Sequence, residues 1–212
     1  MENKILDAAG FDAWQAKYEA DVAACEAAGD YPFAGYTELH QQIFDIVHAR
    51  EEVSVLDLGC GTGKLTGRML EAGHPVTAVD FSANMLAAAA HNAPGATFLQ
   101  AELEEVPEKL GDGKFDCIVA AYALHHLPDE SKYALLAALK KHLNPEGVIV
   151  IGDVSFPDRE GLEAVREAYE DGWDDSEFYL VREELEAALP QFDVDCIPIS
   201  FCADVLILSP ND

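Results

Sequence analysis

The chain has 212 residues, half of them apolar, and a formal net charge of −27 from 13 basic and 40 acidic side chains. This length and apolar content suit one globular α/β domain, residues 1–212, with a substantial core. So acidic a surface repels nucleic acid and anionic membranes, which bind through basic clusters, and the densest basic pair here is Lys140-Lys141.

No apolar run approaches the roughly 20 residues that span a membrane. The opening Met1-Glu2-Asn3-Lys4 lacks the layout of a signal peptide. Five widely spaced cysteines form neither a disulfide framework nor a C-x-x-C metal site. A cytoplasmic location and a small-molecule partner are therefore expected, with no nucleic acid and no membrane. The oligomeric state has no signature.

Phe11, Trp14, Tyr18, Val22 and Cys25 recur at steps of three and four, which predicts an amphipathic helix over 11–28 ended by Gly29. Tyr31-Pro32-Phe33-Ala34-Gly35-Tyr36 then sets three aromatics in a loop. It reads equally as a core plug or as a lid. A second helix is predicted from Thr37 to Arg50, with Leu39, Ile43, Ile46 and Val47 on one face. Residues 1–50 are read as a helical cap over the mouth of a sheet built from 51–212.

Val53 to Leu58 is a short apolar run rich in branched residues, hence a strand, and it breaks into Gly59-Cys60-Gly61-Thr62-Gly63. Glycine lacks Cβ, so the turn can take positive φ and admit a ligand to the backbone. A helix from Lys64 to Ala72 follows, whose first N–H groups face that ligand. A phosphate-cradling loop is ruled out, because Leu58 stands where its first glycine belongs and Leu65 where its hydroxyl belongs. The dinucleotide fingerprint fails too, since Lys64 or Thr66 takes the place of its last glycine.

Pro75 to Asp80 is a second strand ending in an acid about 20 residues beyond the glycines, the position from which a carboxylate takes ribose hydroxyls. Ser82 is placed to cap a helix through His91, and Phe81 and Met85 to pack on a flat base. Strands are predicted at Thr97–Leu103, Phe115–Ala121 and Gly147–Asp153. A helix over Asp129–Leu143 is stopped by Asn144-Pro145. The charged stretch 158–175 reads as helical at first, and Arg182–Leu189 as a short helix. Phe192–Phe201 and Asp204–Leu208 are too closely linked to be anything but an antiparallel pair.

The pattern D-x-G-x-G-x-G at Asp57–Gly63 resembles motif I of the class I S-adenosylmethionine-dependent methyltransferases. Phe115-Asp116-Cys117-Ile118-Val119, followed by Ala123-Leu124-His125-His126-Leu127, resembles motif IV of the members that act on small molecules. The resemblance covers about residues 37–212. It implies a Rossmann-like α/β fold: a seven-stranded, mostly parallel sheet with one antiparallel strand. The segments Phe11-Asp12-x-Trp14, Tyr31–Tyr36 and Trp173–Tyr179 are similar to an uncharacterised bacterial group, the YrrT type.

The implied activity is methyl transfer from S-adenosyl-L-methionine to an unidentified small molecule, leaving S-adenosyl-L-homocysteine. Gly59, Gly61 and Gly63 would admit the cofactor, Asp57 order the turn and Asp80 hold the ribose. Glu102 would take the adenine amino group and the N–H of Leu103 a ring nitrogen. Many relatives carry a polar residue where Ala121 stands, so its backbone must meet the cofactor's amino group. Tyr18 and Tyr36 are lid candidates. His125 and His126 lie near the implied transfer site and are the candidates for handling the acceptor's proton, with Asp153 beside them. No metal ligand set is legible. Two alternatives stay open: a non-catalytic module that binds the same nucleosides, and an NAD-dependent oxidoreductase.

Overall fold

The computed structural model describes residues 22–170 and 172–211. Of the first predicted helix, residues 22–28 are described and are helical; Phe11, Trp14 and Tyr18 lie outside the described residues. Seven helices follow: α1 (Tyr36–His48), α2 (Lys64–Glu71), α3 (Ala83–Asn92), α4 (Val106–Lys109), α5 (Asp129–Leu139), α6 (Arg159–Ala168) and α7 (Arg182–Ala188). The strands are β1 (Val55–Leu58), β2 (Val76–Asp80), β3 (Thr97–Gln100), β4 (Phe115–Ala121), β5 (Leu143–Phe156), β6 (Leu180–Val181), β7 (Phe192–Pro198) and β8 (Ala203–Pro210).

The main sheet runs β3-β2-β1-β4-β5-β8-β7, and the two-residue β6 pairs with the end of β5. β1 to β5 pair in parallel, whereas β8 runs antiparallel to both β5 and β7. The expected seven-stranded sheet with one reversed strand is therefore present. Chain order reverses between β1 and β4, so a crevice opens beyond their carboxyl ends, where ligands bind in such sheets.

Apolar side chains point alternately to the two faces, because a strand has a period of two. Val55, Cys117, Val119, Val148, Val150 and Val205 face one core layer, covered by Leu39, Ile43 and Val47 of α1 and Leu65 and Met69 of α2. Leu56, Leu58, Ile118, Ile149, Ile151 and Leu206 face the other, covered by Leu135, Leu136 and Leu139 of α5 and Leu185 of α7. Both faces of the central strands β1, β4 and β5 are thus largely dry, which accounts for their near-continuous apolar runs. α1 lies along the sheet at Gly152: a Cβ there would sit 2.4 Å from Leu39 Cδ2 and 2.7 Å from Ile43 Cδ1. Tyr36 and His40 at its start and Phe33 of the loop before it contribute to the cavity.

Two boundaries differ from the sequence reading. β3 stops at Gln100, whose pairing partner Asp80 is the last residue of β2, and Leu103–Glu105 forms a 3-10 turn instead. With no neighbour beyond Asp80, the backbone has no ladder to continue. α5 ends at Leu139 and is followed by a 3-10 turn, Lys140–His142; β5 begins at Leu143, paired with Phe115. The Asn144-Pro145 stop therefore falls inside a strand, at a register shift in the ladder between β4 and β5. Among the described residues no helix is long and apolar enough to cross a membrane.

Candidate active site

β1 delivers the chain into the crevice and the glycines turn it back into α2. Gly59, Gly61 and Gly63 have φ of 67°, 53° and 76°, a region that L side chains avoid. Their surroundings differ. A Cβ on Gly59 would lie 2.6 Å from the Ala123 Cβ, and one on Gly63 2.9 Å from the Ala89 Cα of α3. A Cβ on Gly61 would meet nothing within 4 Å among the described residues. Packing therefore leaves no room for a Cβ at Gly59 or Gly63, whereas Gly61 faces open space.

Two acids hold the turn. Asp57 is buried and accepts a 2.5 Å hydrogen bond from Thr66 Oγ1 of α2. Burial pushes its pKa up to about 6. Asp80 accepts from the Gly61 N–H through Oδ2 and from the Ser82 N–H through Oδ1, both at 2.9 Å. Ser82 caps α3 by accepting from the Met85 N–H. Burial, and then the charges of Glu104 and Glu105, raise the pKa of Glu102.

A cavity of about 440 Å³ opens beside this turn. Tyr36, Asp57, Gly59, Gly61, Asp80, Phe81, Met85, Glu102, Leu103, Ala121, His125 and His126 all line it; Gly63 does not. Tyr18 lies outside the described residues. The aromatic loop divides between the cavity and the core. Phe33 and Tyr36 line the cavity against Tyr122, whose ring stacks on Tyr36 at 5.1 Å. Tyr31 is buried, stacked on Trp173 at 5.2 Å. Tyr122 has φ 49°, a strained conformation for an aromatic residue, where β4 leaves the sheet.

His125, His126 and Glu177, which line the cavity, belong to a connected polar cluster. Asp153, at the carboxyl half of β5, is fully buried. Its Oδ2 accepts from the N–H groups of Leu124 and His125, and its Oδ1 from the N–H of Val154. His125 Nδ1 lies 2.6 Å from Oδ1 and donates to it, since an ionised carboxylate only accepts. Burial works against charge on both groups. Their mutual attraction and hydrogen bonding outweigh it, so the imidazole sits above its usual pKa and the carboxyl below. His126 packs edge-on to His125 at 4.0 Å, and burial followed by the His125 charge lowers its pKa to about 3. Glu177 Oε1 stands 3.7 Å from His125 Nε2, while its Oε2 accepts from the Tyr179 hydroxyl at 2.7 Å. Tyr179 in turn shares a short hydrogen bond with Tyr31.

Residues 55–147 match the family model described as a methyltransferase domain. The chain is 33% identical over 185 residues to the uncharacterized methyltransferase GK2543 of Geobacillus kaustophilus, covering 86% of this chain and 82% of that one. It is 30% identical over 178 residues to the uncharacterized methyltransferase YrrT of Bacillus subtilis, covering 83% and 78%. The chain belongs to the class I S-adenosylmethionine-dependent methyltransferases. The fold agrees: a DhpI–SAH complex superposes with a TM-score of 0.71 at 21% identity, over 96% of this chain and 95% of that one.

The nicotinamide alternative falls with this assignment. Some of the methyltransferase's cavity residues went unmarked in the sequence. Glu177 follows Asp174-Asp175-Ser176 and has no local pattern that separates it from solvated acid. His40, on α1, was hidden in an amphipathic helix. Phe33 and Tyr122 carried a signal, an aromatic beside a predicted lid or at a strand's carboxyl end, but no partner could be named for either.

Proposed function

We propose that the methyltransferase moves the cofactor's methyl group to a small-molecule acceptor seated between the glycine turn and His125, His126 and Glu177. One observation carries this reading: Gly61, Asp80 and Glu102 line the same cavity as His125, His126 and Glu177. S-adenosylmethionine, when bound, supplies an electrophilic methyl on a sulfonium, so that the acceptor's lone pair forms the new bond and the broken bond's electrons return to sulfur. The open space at Gly61 suits close approach of such a nucleoside.

The remaining roles belong to the chain. Asp80, which already holds the Gly61 and Ser82 N–H groups, takes the ribose hydroxyls. Phe81 and Met85 flank the base, Glu102 takes its amino group and the Leu103 N–H a ring nitrogen. The Ala121 backbone meets the amino group of the methionine moiety. Asp57, Gly59 and Gly63 hold the turn in shape. Tyr36 covers the site, and Tyr18 is proposed to join it. His125 and His126 favour the deprotonated acceptor. Alignment and exclusion of water provide most of the acceleration, of the order of 7–11 kcal/mol for well-oriented groups. The enzyme is read as one cytoplasmic domain, and its acidic surface supports a small-molecule acceptor rather than nucleic acid.

Calorimetric titration with S-adenosylhomocysteine, S-adenosylmethionine and NAD tests the reading. Both sulfur nucleosides should bind and NAD should not. Asp80→Ala should weaken both by about 10- to 100-fold, the worth of a hydrogen bond to a charged group. Unchanged affinity in a folded Asp80→Ala protein would refute the assigned site.

A further inference from the structure

Three side chains competent to bind metal converge at the acceptor end of the cavity, from stretches about fifty residues apart. His125 and His126 lie on the 3-10 turn after β4, and Glu177 on the segment before β6. One ligand atom from each lies within 4.8 Å of the others, and His125 Nε2 and Glu177 Oε1 are already 3.7 Å apart. Ligands at about 2.0–2.2 Å from one tetrahedral zinc are separated by roughly 3.4 Å, so small rotamer shifts would close the cluster.

The surroundings hold these ligands in order. Asp153 accepts from His125 Nδ1 at 2.6 Å and is itself fixed by three backbone N–H groups. That bond leaves Nε2 facing Glu177. A carboxylate behind a histidine in this way sets the tautomer and ring orientation of metal-bound imidazoles and raises their basicity. Tyr179 occupies Glu177 Oε2 and leaves Oε1 toward His125. The two stretches are tied together by the Phe178 N–H, which donates to the His125 carbonyl at 2.7 Å, and by Lys132 Nζ, which donates to the Phe178 carbonyl at 2.6 Å. A scattered surface acid has no such support.

We infer that His125, His126 and Glu177 form a binding site for a divalent transition metal, open on its cavity side to the methyl acceptor. Two imidazoles and one carboxylate with a vacant position are a catalytic rather than a structural zinc donor set. Imidazole suits zinc, cobalt(II), nickel(II) or iron(II), whereas magnesium and calcium take oxygen ligands. The acceptor half of the inference rests on the proposed function. An acceptor S–H or O–H held at the vacant position would lose its proton to solvent, and the lone pair left behind would take the methyl group. The acceptor would then be a thiol or hydroxyl compound that chelates or coordinates, not a simple tertiary amine.

The test uses the full chain stripped with a chelator. Zinc chloride titration should show one tight site per chain, and cobalt(II) should give the intense visible bands of a low-symmetry nitrogen–oxygen site. His126→Ala and Glu177→Gln change half-buried side chains outside the central core, and each should weaken zinc by at least about tenfold and dim the cobalt bands. Weak zinc uptake at several sites per chain, or binding equal in wild type and both variants, would overturn the inference and assign the metal to surface acids. S-adenosylhomocysteine titration of the same samples reports folding and separates the two readings. Nucleoside binding without specific zinc binding overturns the metal site alone. Zinc binding without nucleoside binding overturns the proposed function and leaves the metal site standing.

Discussion

Asp57 is held out of water at the end of β1 with one hydroxyl for company, and burial lifts its pKa from 3.8 to about 6. The folded chain therefore binds this proton more readily than the unfolded chain does. The resulting stability is full below the unfolded value and is lost as pH rises through about 6. Asp57→Asn keeps a hydrogen-bonding side chain for Thr66 without the buried charge. Thermal unfolding across pH 4 to 8 should show the variant gaining on wild type up to about pH 6 and then holding an advantage of about 2–3 kcal/mol. A constant difference across that range would mean that Asp57 does not titrate there. The glycines divide in a testable way. Gly61→Ala adds a methyl to open space and strains φ, so it should cost about 1 kcal/mol of stability and much more in S-adenosylhomocysteine affinity. Gly63→Ala drives a methyl against α3 and should show the reverse balance, with unfolding in urea the larger effect. Motif spacing identified all three glycines alike; only the packing distinguishes what each is for.

At the scale of elements, α1 and β5 are fitted through Gly152. Leu39 and Ile43 are fully buried, so neither can swing away from an added methyl. Gly152→Ala should cost about 1–3 kcal/mol, seen as a lower urea midpoint with an unchanged slope. A neutral result would show that α1 shifts freely on the sheet. The helical period of α1 and the branched run of β5 were legible because both depend on which residues are apolar. The end of β3 and the start of β5 were not, because they depend on where a neighbouring strand stops or begins. Gln100 is a strand end only because Asp80 is one.

For the whole molecule the dominant global term is charge. A net −27 on 212 residues repels itself in the compact state. Salt shortens the range of that repulsion to about 8 Å at physiological ionic strength and about 3 Å at 1 M. The melting temperature should therefore rise steadily with sodium chloride; a fall would mean that the few ion pairs outweigh the repulsion. The alternation of strand and helix by itself determined the fold class, the glycine spacing placed the turn that lines the cavity, and the resemblance to a family's motifs implied the cofactor. Each of these is written in short-range order, as residue type and spacing along one element. Tertiary structure alone decided the polar cluster in the cavity. Glu177 meets His125 and His126 only because β5, reaching Asp153 and pairing with β6, brings the segment before β6 back over the turn after β4. No local pattern encodes that meeting, since the distance along the chain is long and the contacts that close it are made by the packed sheet.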